Sequence, residues 1–219
     1  MPYEIILFDL DGTITDSGPG IMNSVQYAVR KMGYDSLSEE KLKLFIGPPL
    51  IDSFREFCGM SDEEAQNAVT CYREYYADRG IFENKLYPGI PEMLDNLRAM
   101  GCRLAIATSK PELYTKQILE HLGVIGRFDF VGGSLMNGER SRKAEVINYV
   151  LEKMDNSDLS KALMVGDRRH DIEGAHIVGV ECVGVTYGYG SQEELLQAGA
   201  DYLAISPERF VRMLRVLNQ

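Results

Sequence analysis

The sequence predicts an α/β protein, a parallel sheet with helices on both faces, interrupted by an all-helical insertion. Three observations carry this. Short apolar runs recur without the polar alternation of a half-exposed strand, as strands buried on both faces do. Amphipathic helical patterns lie between them, the alternation that builds parallel sheets through right-handed crossovers. Residues 17 to about 85 hold only helical patterns and no strand pattern.

Taken in order, Glu4 to Phe8 is the first apolar run, and the insertion follows it. Within the insertion, SVQYAVRKMG, SEEKLKLFIG, LIDSFREFCG and SDEEAQNAVTCYREYYADRG read as successive helices punctuated by glycines. Ser61 with Glu64 is a capping box, whereas Ser38 with Lys41 is not one. The alternation resumes near Tyr87-Pro88-Gly89. Ile90, Met93, Leu94, Leu97 and Met100 recur at helical spacing, and Gly101 suits the helix end. The next strand is RLAIA, Arg103 to Ala107. ELYTKQILEHLG follows Pro111, a residue favoured in a first helical turn. FDFV (128–131) reads as a strand, RKAEVINYVLEKM as an amphipathic helix, and ALMV (162–165) and CVGV (182–185) as further strands. No internal repeat or low-complexity segment is present. The expected organisation is a core of residues 1–16 and 86–219 with a helical cap of 17–85.

With 219 residues, 45% hydrophobic and 26% charged, the chain has the balance of a globular protein able to bury a sizeable core. Its formal net charge of −10 argues against a nucleic-acid binder, which needs a basic face. Any anionic substrate must therefore meet local positive charge. The four cysteines, Cys58, Cys71, Cys102 and Cys182, form no CxxC and are expected to be ordinary thiols in a reducing cytosol. The N-terminus lacks the pattern of a signal peptide. No apolar run approaches the about 20 residues that span a bilayer. A cytoplasmic location is the expectation.

In open α/β sheets ligands bind at the carboxyl ends of the strands, so the polar residues just beyond each apolar run are informative. After the first run come Asp9 and Asp11, then Gly12 and Thr13. After RLAIA come Thr108, Ser109 and Lys110, and after ALMV come Gly166, Asp167, Arg168, Arg169, His170 and Asp171. Lys143 opens the helix before that strand. Strands running parallel would gather these groups on one rim. Crowded carboxylates repel one another, and a hard cation such as Mg²⁺, which prefers oxygen ligands, relieves that.

FDLDGT, LAIATSK, Lys143 and VGDRRHD resemble, in order, the four motifs of the haloacid dehalogenase-like hydrolase superfamily, over Phe8 to Asp171. The insertion resembles that family's small helical cap, and length and cap placement are similar to its phosphoglycolate phosphatase-like branch. FIGPPL (45–50) and RSRKAEVI are similar to members that are 5'-nucleotidases. The resemblance implies a Rossmann-like core and a Mg²⁺-dependent phosphatase. Asp9 would be the nucleophile that forms an aspartyl-phosphate. Asp11 would be the general acid and then the base, its main-chain carbonyl also binding Mg²⁺. Thr108 and the N–H of Ser109 would bind the phosphoryl group, and Lys143 would neutralise it and hold Asp9. Asp167 would complete a metal site of Asp9, Asp11 and Asp167, with Asp171 in support. The expected partner is a small phosphorylated metabolite or a nucleotide, not a nucleic-acid polymer or a membrane. The expected state is a monomer or a weak dimer.

Other residues read two ways. Gly12 permits a tight turn beneath a phosphate or is a plain turn residue. Lys110 either pairs with Asp171 or Asp167 or is solvated at a helix start. Arg168 and Arg169 are more readily exposed loop arginines than substrate contacts. His121, His170 and His176 show no ligand spacing. Tyr72, Tyr75 and Tyr76 fit the core of the insertion better than a base-stacking platform. Phe45 to Pro49 is a substrate-selecting loop or an interhelix turn. The Gly- and Pro-rich crossings, Asp16 to Gly20 and Lys85 to Gly89, suit a hinge. Among substrates a nucleoside 5'-monophosphate leads, with phosphoglycolate or another small metabolite second. A sugar phosphomutase and a phospho-acceptor signalling domain are the rival classes.

Overall fold

A computed structural model describes residues 3–156 and 158–219. The chain divides into two compact units, one taking in the chain up to Thr15 together with Leu86–Gln219, the other Asp16–Lys85. Strand β1 (Ile5–Phe8) opens the first unit. Two short strands, β2 (Thr15–Asp16) and β3 (Lys85–Leu86), pair where the chain passes between the units.

The second unit holds α1 (Gly18–Lys31), α2 (Glu39–Lys43), α3 (Leu50–Cys58) and α4 (Asp62–Asp78). The Ser61 side chain accepts the Glu64 N–H while the Glu64 carboxylate accepts the Ser61 N–H, so the capping box fixes where α4 starts. Tyr72 and Tyr76 stack at 5.3 Å, both buried, so they serve packing, as their spacing predicts. Phe45 and Ile46 are also buried, and the Phe45 ring meets Phe54 at 5.1 Å and Phe57 at 5.4 Å. The first two of the six residues of FIGPPL are therefore core. Only its exposed part, Gly47 and Pro49, keeps the freedom of a surface loop.

The first unit continues with α5 (Ile90–Ala99), β4 (Arg103–Pro111), α6 (Glu112–His121), β5 (Phe130–Ser134), α7 (Lys143–Lys153), β6 (Ala162–Gly166), α8 (Arg169–Val178), β7 (Glu181–Val185), α9 (Gln192–Gln197), β8 (Tyr202–Ala204) and α10 (Pro207–Leu217). The sheet order is β5-β4-β1-β6-β7-β8, with every pair parallel. This is the expected Rossmann-like α/β core.

The unbroken apolar runs are explained by two covered faces. Ile5 and Leu7 point into a cluster with Val146, Ile147 and Val150 of α7 and Ile172 and Ala175 of α8. Phe8 meets Phe128 and Phe210 edge-on, at 6.5 and 6.0 Å. A fully buried Phe or Leu contributes about 1.5–3 kcal/mol, so these strands cannot slip register without exposing both sets. β5 begins at Phe130 rather than Phe128, because Phe128 turns into the core and the Asp129 carboxylate accepts the Leu104 N–H at 2.8 Å. β4 runs past Ala107 through Thr108, Ser109 and Lys110, with a register shift before Pro111. β1 is central, and Phe8 pairs with Ile106 on one side and Val165 on the other. Asp9 therefore follows β1 at the level where β6 ends and where β4 passes from Ala107 to Thr108.

Candidate active site

The chain turns sharply after β1. The Leu10 carbonyl accepts the N–H groups of Ile14 and Thr15 at 2.9 Å and of Thr13 at 3.3 Å, and the Gly12 N–H donates to the Thr15 carbonyl at 2.8 Å. Leu10 is buried. Asp9 and Asp11, one residue to either side, keep 13% and 16% of their side chains accessible. Gly12 has φ +84°, and a Cβ there would overlap the Asp167 carboxylate, so the turn needs glycine both for its backbone and for its closeness to Asp167.

Lys143, the first residue of α7, is buried with its ammonium 2.8 Å from an oxygen of Asp9 and 2.8 Å from one of Asp171, and it donates to the Ala107 carbonyl at 3.1 Å. Thr108 is buried within β4, just past the apolar run, and its hydroxyl accepts the Lys110 N–H at 3.3 Å. Ser109 beside it is half-buried. Asp167 is fully buried, one oxygen accepting the Tyr189 N–H at 2.7 Å and the other facing the Thr13 hydroxyl at 3.4 Å. Asp171 accepts the Arg168 N–H at 3.0 Å, which fixes it at the start of α8.

One carboxylate oxygen from each of Asp9, Asp167 and Asp171 lies within 4.8 Å of the others. Two of these acids, Asp9 and Asp171, share the Lys143 ammonium. Burial, with the charges of Asp171 and Asp9, pushes Asp167 well above the usual carboxylate range. Burial and Asp9 raise Asp171 to about 6, although Lys143 opposes them. Burial works against the Lys143 charge, but Asp171 and Asp9 outweigh it and the ammonium is held. Buried oxygens of Asp9 and Asp11 have no hydrogen-bond partner, the Asp9 oxygen facing Lys143 without hydrogen-bond alignment. Under-satisfied, mutually repelling oxygens are the donor set a hard divalent cation takes, so these residues fit Mg²⁺.

The rim gathers Asp9, Lys143, Asp167 and Asp171, but the Asp11 carboxylate lies apart, 2.6 Å from the ammonium of Lys110. Lys110 is therefore buried in an ion pair with Asp11 rather than solvated. The reason is topological. β4 extends beyond Ala107 and carries Lys110 beside the β1 turn, whereas Asp167 and Asp171 follow β6 on the other side of β1. The Arg168 guanidinium is tied to Glu194 at 2.9 Å.

A further loop supports the rim. TYGYG (186–190) follows β7. The Tyr187 hydroxyl donates to the Thr13 carbonyl at 3.0 Å, the Tyr189 N–H binds Asp167, and Gly188 and Gly190 press against the main chain and carboxylate of Asp167. Two glycines directly after an apolar strand are its signal in the sequence. A Cβ on Gly190 would overlap the Asp167 carbonyl, which a helix-start backbone cannot easily surrender. Gly190→Ala is expected to lower stability by about 1–3 kcal/mol, read as a fall in the urea midpoint. An unchanged midpoint would mean that this loop does not brace Asp167.

A model of the haloacid dehalogenase-like hydrolases matches residues 6–185. A 5'-nucleotidase of Pseudomonas aeruginosa is 42% identical over 193 residues, covering 88% of this chain and 87% of that protein. A phosphoglycolate phosphatase of Vibrio parahaemolyticus is 31% identical over 222 residues, covering 97% and 96%. Among solved structures, a predicted phosphatase from Clostridium acetobutylicum superposes with a TM-score of 0.93 at 41% identity, over 100% of both chains.

Proposed function

The chain belongs to the haloacid dehalogenase-like hydrolases and is a phosphatase, and from that premise we propose that it hydrolyses a small phosphomonoester through an aspartyl-phosphate on Asp9, with a nucleoside 5'-monophosphate as the preferred substrate. The observation that carries the site assignment is the contrast on the rim. Asp9 and Asp11 keep accessible surface, while Asp167 and Asp171 are sealed behind them. A nucleophile and a proton donor must touch substrate, whereas groups that hold a cation or an ammonium need not.

In this reading an oxygen of Asp9 attacks phosphorus and the bond to the leaving oxygen breaks, with Asp11 supplying the proton. Water then attacks the phosphoryl group, Asp11 takes the water's proton, and the Asp9–phosphorus bond breaks. Lys143, 2.8 Å from Asp9, holds that carboxylate in place, and its charge meets the phosphoryl oxygens. The Thr108 hydroxyl and the Ser109 N–H donate to the same oxygens. Mg²⁺, held by Asp9, Asp167 and the Asp11 carbonyl, would add positive charge at the transferring group. The helical unit, Asp16–Lys85, serves as the cap that encodes substrate choice.

The nucleotide preference rests on the 5'-nucleotidase relative and on FIGPPL and RSRKAEVI. The phosphoglycolate phosphatase relative supports a second substrate, phosphoglycolate. Phosphate release from AMP, IMP, UMP, phosphoglycolate, glucose 1-phosphate and glucose 6-phosphate, with Mg²⁺ and with excess chelator, tests both. Release is expected to need Mg²⁺ and to be fastest with a nucleoside monophosphate. Preference for phosphoglycolate would overturn the nucleotide assignment alone. Full activity in chelator would overturn the metal, and isomerised glucose 1-phosphate without release would point to a mutase.

A further inference from the structure

Among the described residues, one group of potential metal ligands lies outside the rim. His176 is in the last turn of α8, Cys182 is the second residue of β7, and Asp201 immediately precedes β8. The sequence shows no ligand spacing here, because the three are 6 and 19 residues apart and meet only through the fold. They sit at the amino ends of the strands, whereas the phosphatase rim lies at the carboxyl ends.

Their ligand atoms form a nearly equilateral triangle. His176 Nε2 is 3.1 Å from Asp201 Oδ2 and 3.4 Å from Cys182 Sγ, and Sγ is 3.2 Å from Oδ2. Bonds of about 2.0–2.3 Å around a tetrahedral cation set ligand atoms about 3.3–3.6 Å apart, so the triangle is close to one face of such a tetrahedron. One nitrogen, one sulfur and one carboxylate oxygen form a borderline-soft set suited to Zn²⁺ and poorly suited to Mg²⁺.

Hydrogen bonding alone explains less. Asp201 Oδ2 also accepts the Cys182 N–H at 2.9 Å, much as Asp129 accepts the Leu104 N–H across the sheet. That strand-end bond accounts for the presence of Asp201. It does not account for an imidazole nitrogen and a thiol that converge on the same carboxylate oxygen. Three donors crowd one acceptor when no cation is bound. A cation replaces the thiol proton and the ring proton with one charge that all three ligands share. The main-chain N–H meanwhile keeps the carboxylate oriented, as supporting hydrogen bonds do at metal sites. The side chains of His176 and Asp201 are 40% and 32% exposed, so solvent reaches the side where a fourth ligand, a water, completes the shell. Cys182 is buried beneath them.

We propose that His176, Cys182 and Asp201 bind a single Zn²⁺-class cation that clasps α8 to the β7–β8 edge of the sheet, separately from the phosphatase centre. The proposal does not depend on the phosphatase mechanism.

The test is calorimetric titration of the full-length, metal-stripped protein with Zn²⁺ in a large excess of Mg²⁺, which occupies the rim acids. One Zn²⁺ is expected to bind the wild type, with affinity falling at least about tenfold in Cys182→Ser and in His176→Gln. Co²⁺ is expected to give a thiolate charge-transfer band in the wild type that is missing in Cys182→Ser. Cys182 is buried and its variant could fold poorly, but His176 is at the surface and its variant keeps the test open. Absence of Zn²⁺ binding, wild-type affinity in either variant, or a Co²⁺ thiolate band that persists without Cys182 would each overturn the proposal.

Discussion

Lys143→Met is expected to destabilise the folded protein by about 3–5 kcal/mol at neutral pH and to remove nearly all phosphatase activity. The ammonium lies 2.8 Å from both Asp9 and Asp171 and is buried with them. Removing one partner of a buried ion pair leaves uncompensated charge, and here two carboxylates lose their shared cation at once. The deficit has a definite pH dependence. With Lys143 present, burial and Asp9 already lift Asp171 to about 6. Without the ammonium the folded state holds that proton more tightly still. A carboxylate raised above its unfolded value of about 3.9 contributes stability that is present below that value and lost as pH rises through the folded one. The gap between variant and wild type should therefore be widest above about pH 6 and narrow toward pH 4. Urea unfolding across that range measures it. A gap that does not change with pH would mean that Lys143 acts by packing, through its contact with Gly174, rather than by charge.

Asp9→Asn is expected to reduce turnover by about four orders of magnitude or more, on the order of 5.5 kcal/mol of transition-state stabilisation, because an amide cannot form the acyl phosphate. The same change should leave the metal-free protein at least as stable as the wild type. Asn is nearly isosteric with Asp, the Lys143–Asp171 pair remains, and one of three mutually repelling charges is gone. Measuring phosphate release and thermal melting on the same preparation separates lost chemistry from lost fold. A variant that is inactive and also strongly destabilised would assign Asp9 a structural role.

Much of this site was legible because chemistry-bearing residues directly follow apolar runs. Asp9, Asp11, Thr108 and Asp167 each sit just past an apolar run, and a parallel sheet brings such positions to one rim. The role of Lys143 came from the resemblance rather than the pattern, since a lysine at a helix start is commonplace. The Lys110–Asp11 pair was not legible because it depends on how far β4 extends, and no periodicity states where a strand stops against its neighbour. β8 is a three-residue, partly exposed edge strand, too short for a period to register. Beyond Val185 the pattern is sparser, although α10 carries a helical stripe of Phe210, Val211 and Leu214 behind Ser206 and Pro207. The TYGYG loop offered glycines as a signal, but its task is set by Asp167, some twenty residues earlier in the chain, and only the fold reveals that contact. The same holds for His176, Cys182 and Asp201, which lie on α8, on β7 and just before β8.

The most direct test of the central claim is to quench the wild-type enzyme during turnover of AMP with Mg²⁺, reduce it with borohydride, and map the product by mass spectrometry. Borohydride converts an acyl phosphate of aspartate to homoserine. Transfer through Asp9 predicts homoserine at position 9, dependent on both AMP and Mg²⁺ and missing from Asp9→Asn. Rapid phosphate release with position 9 unmodified, or with homoserine at Asp11, Asp167 or Asp171 instead, would contradict it.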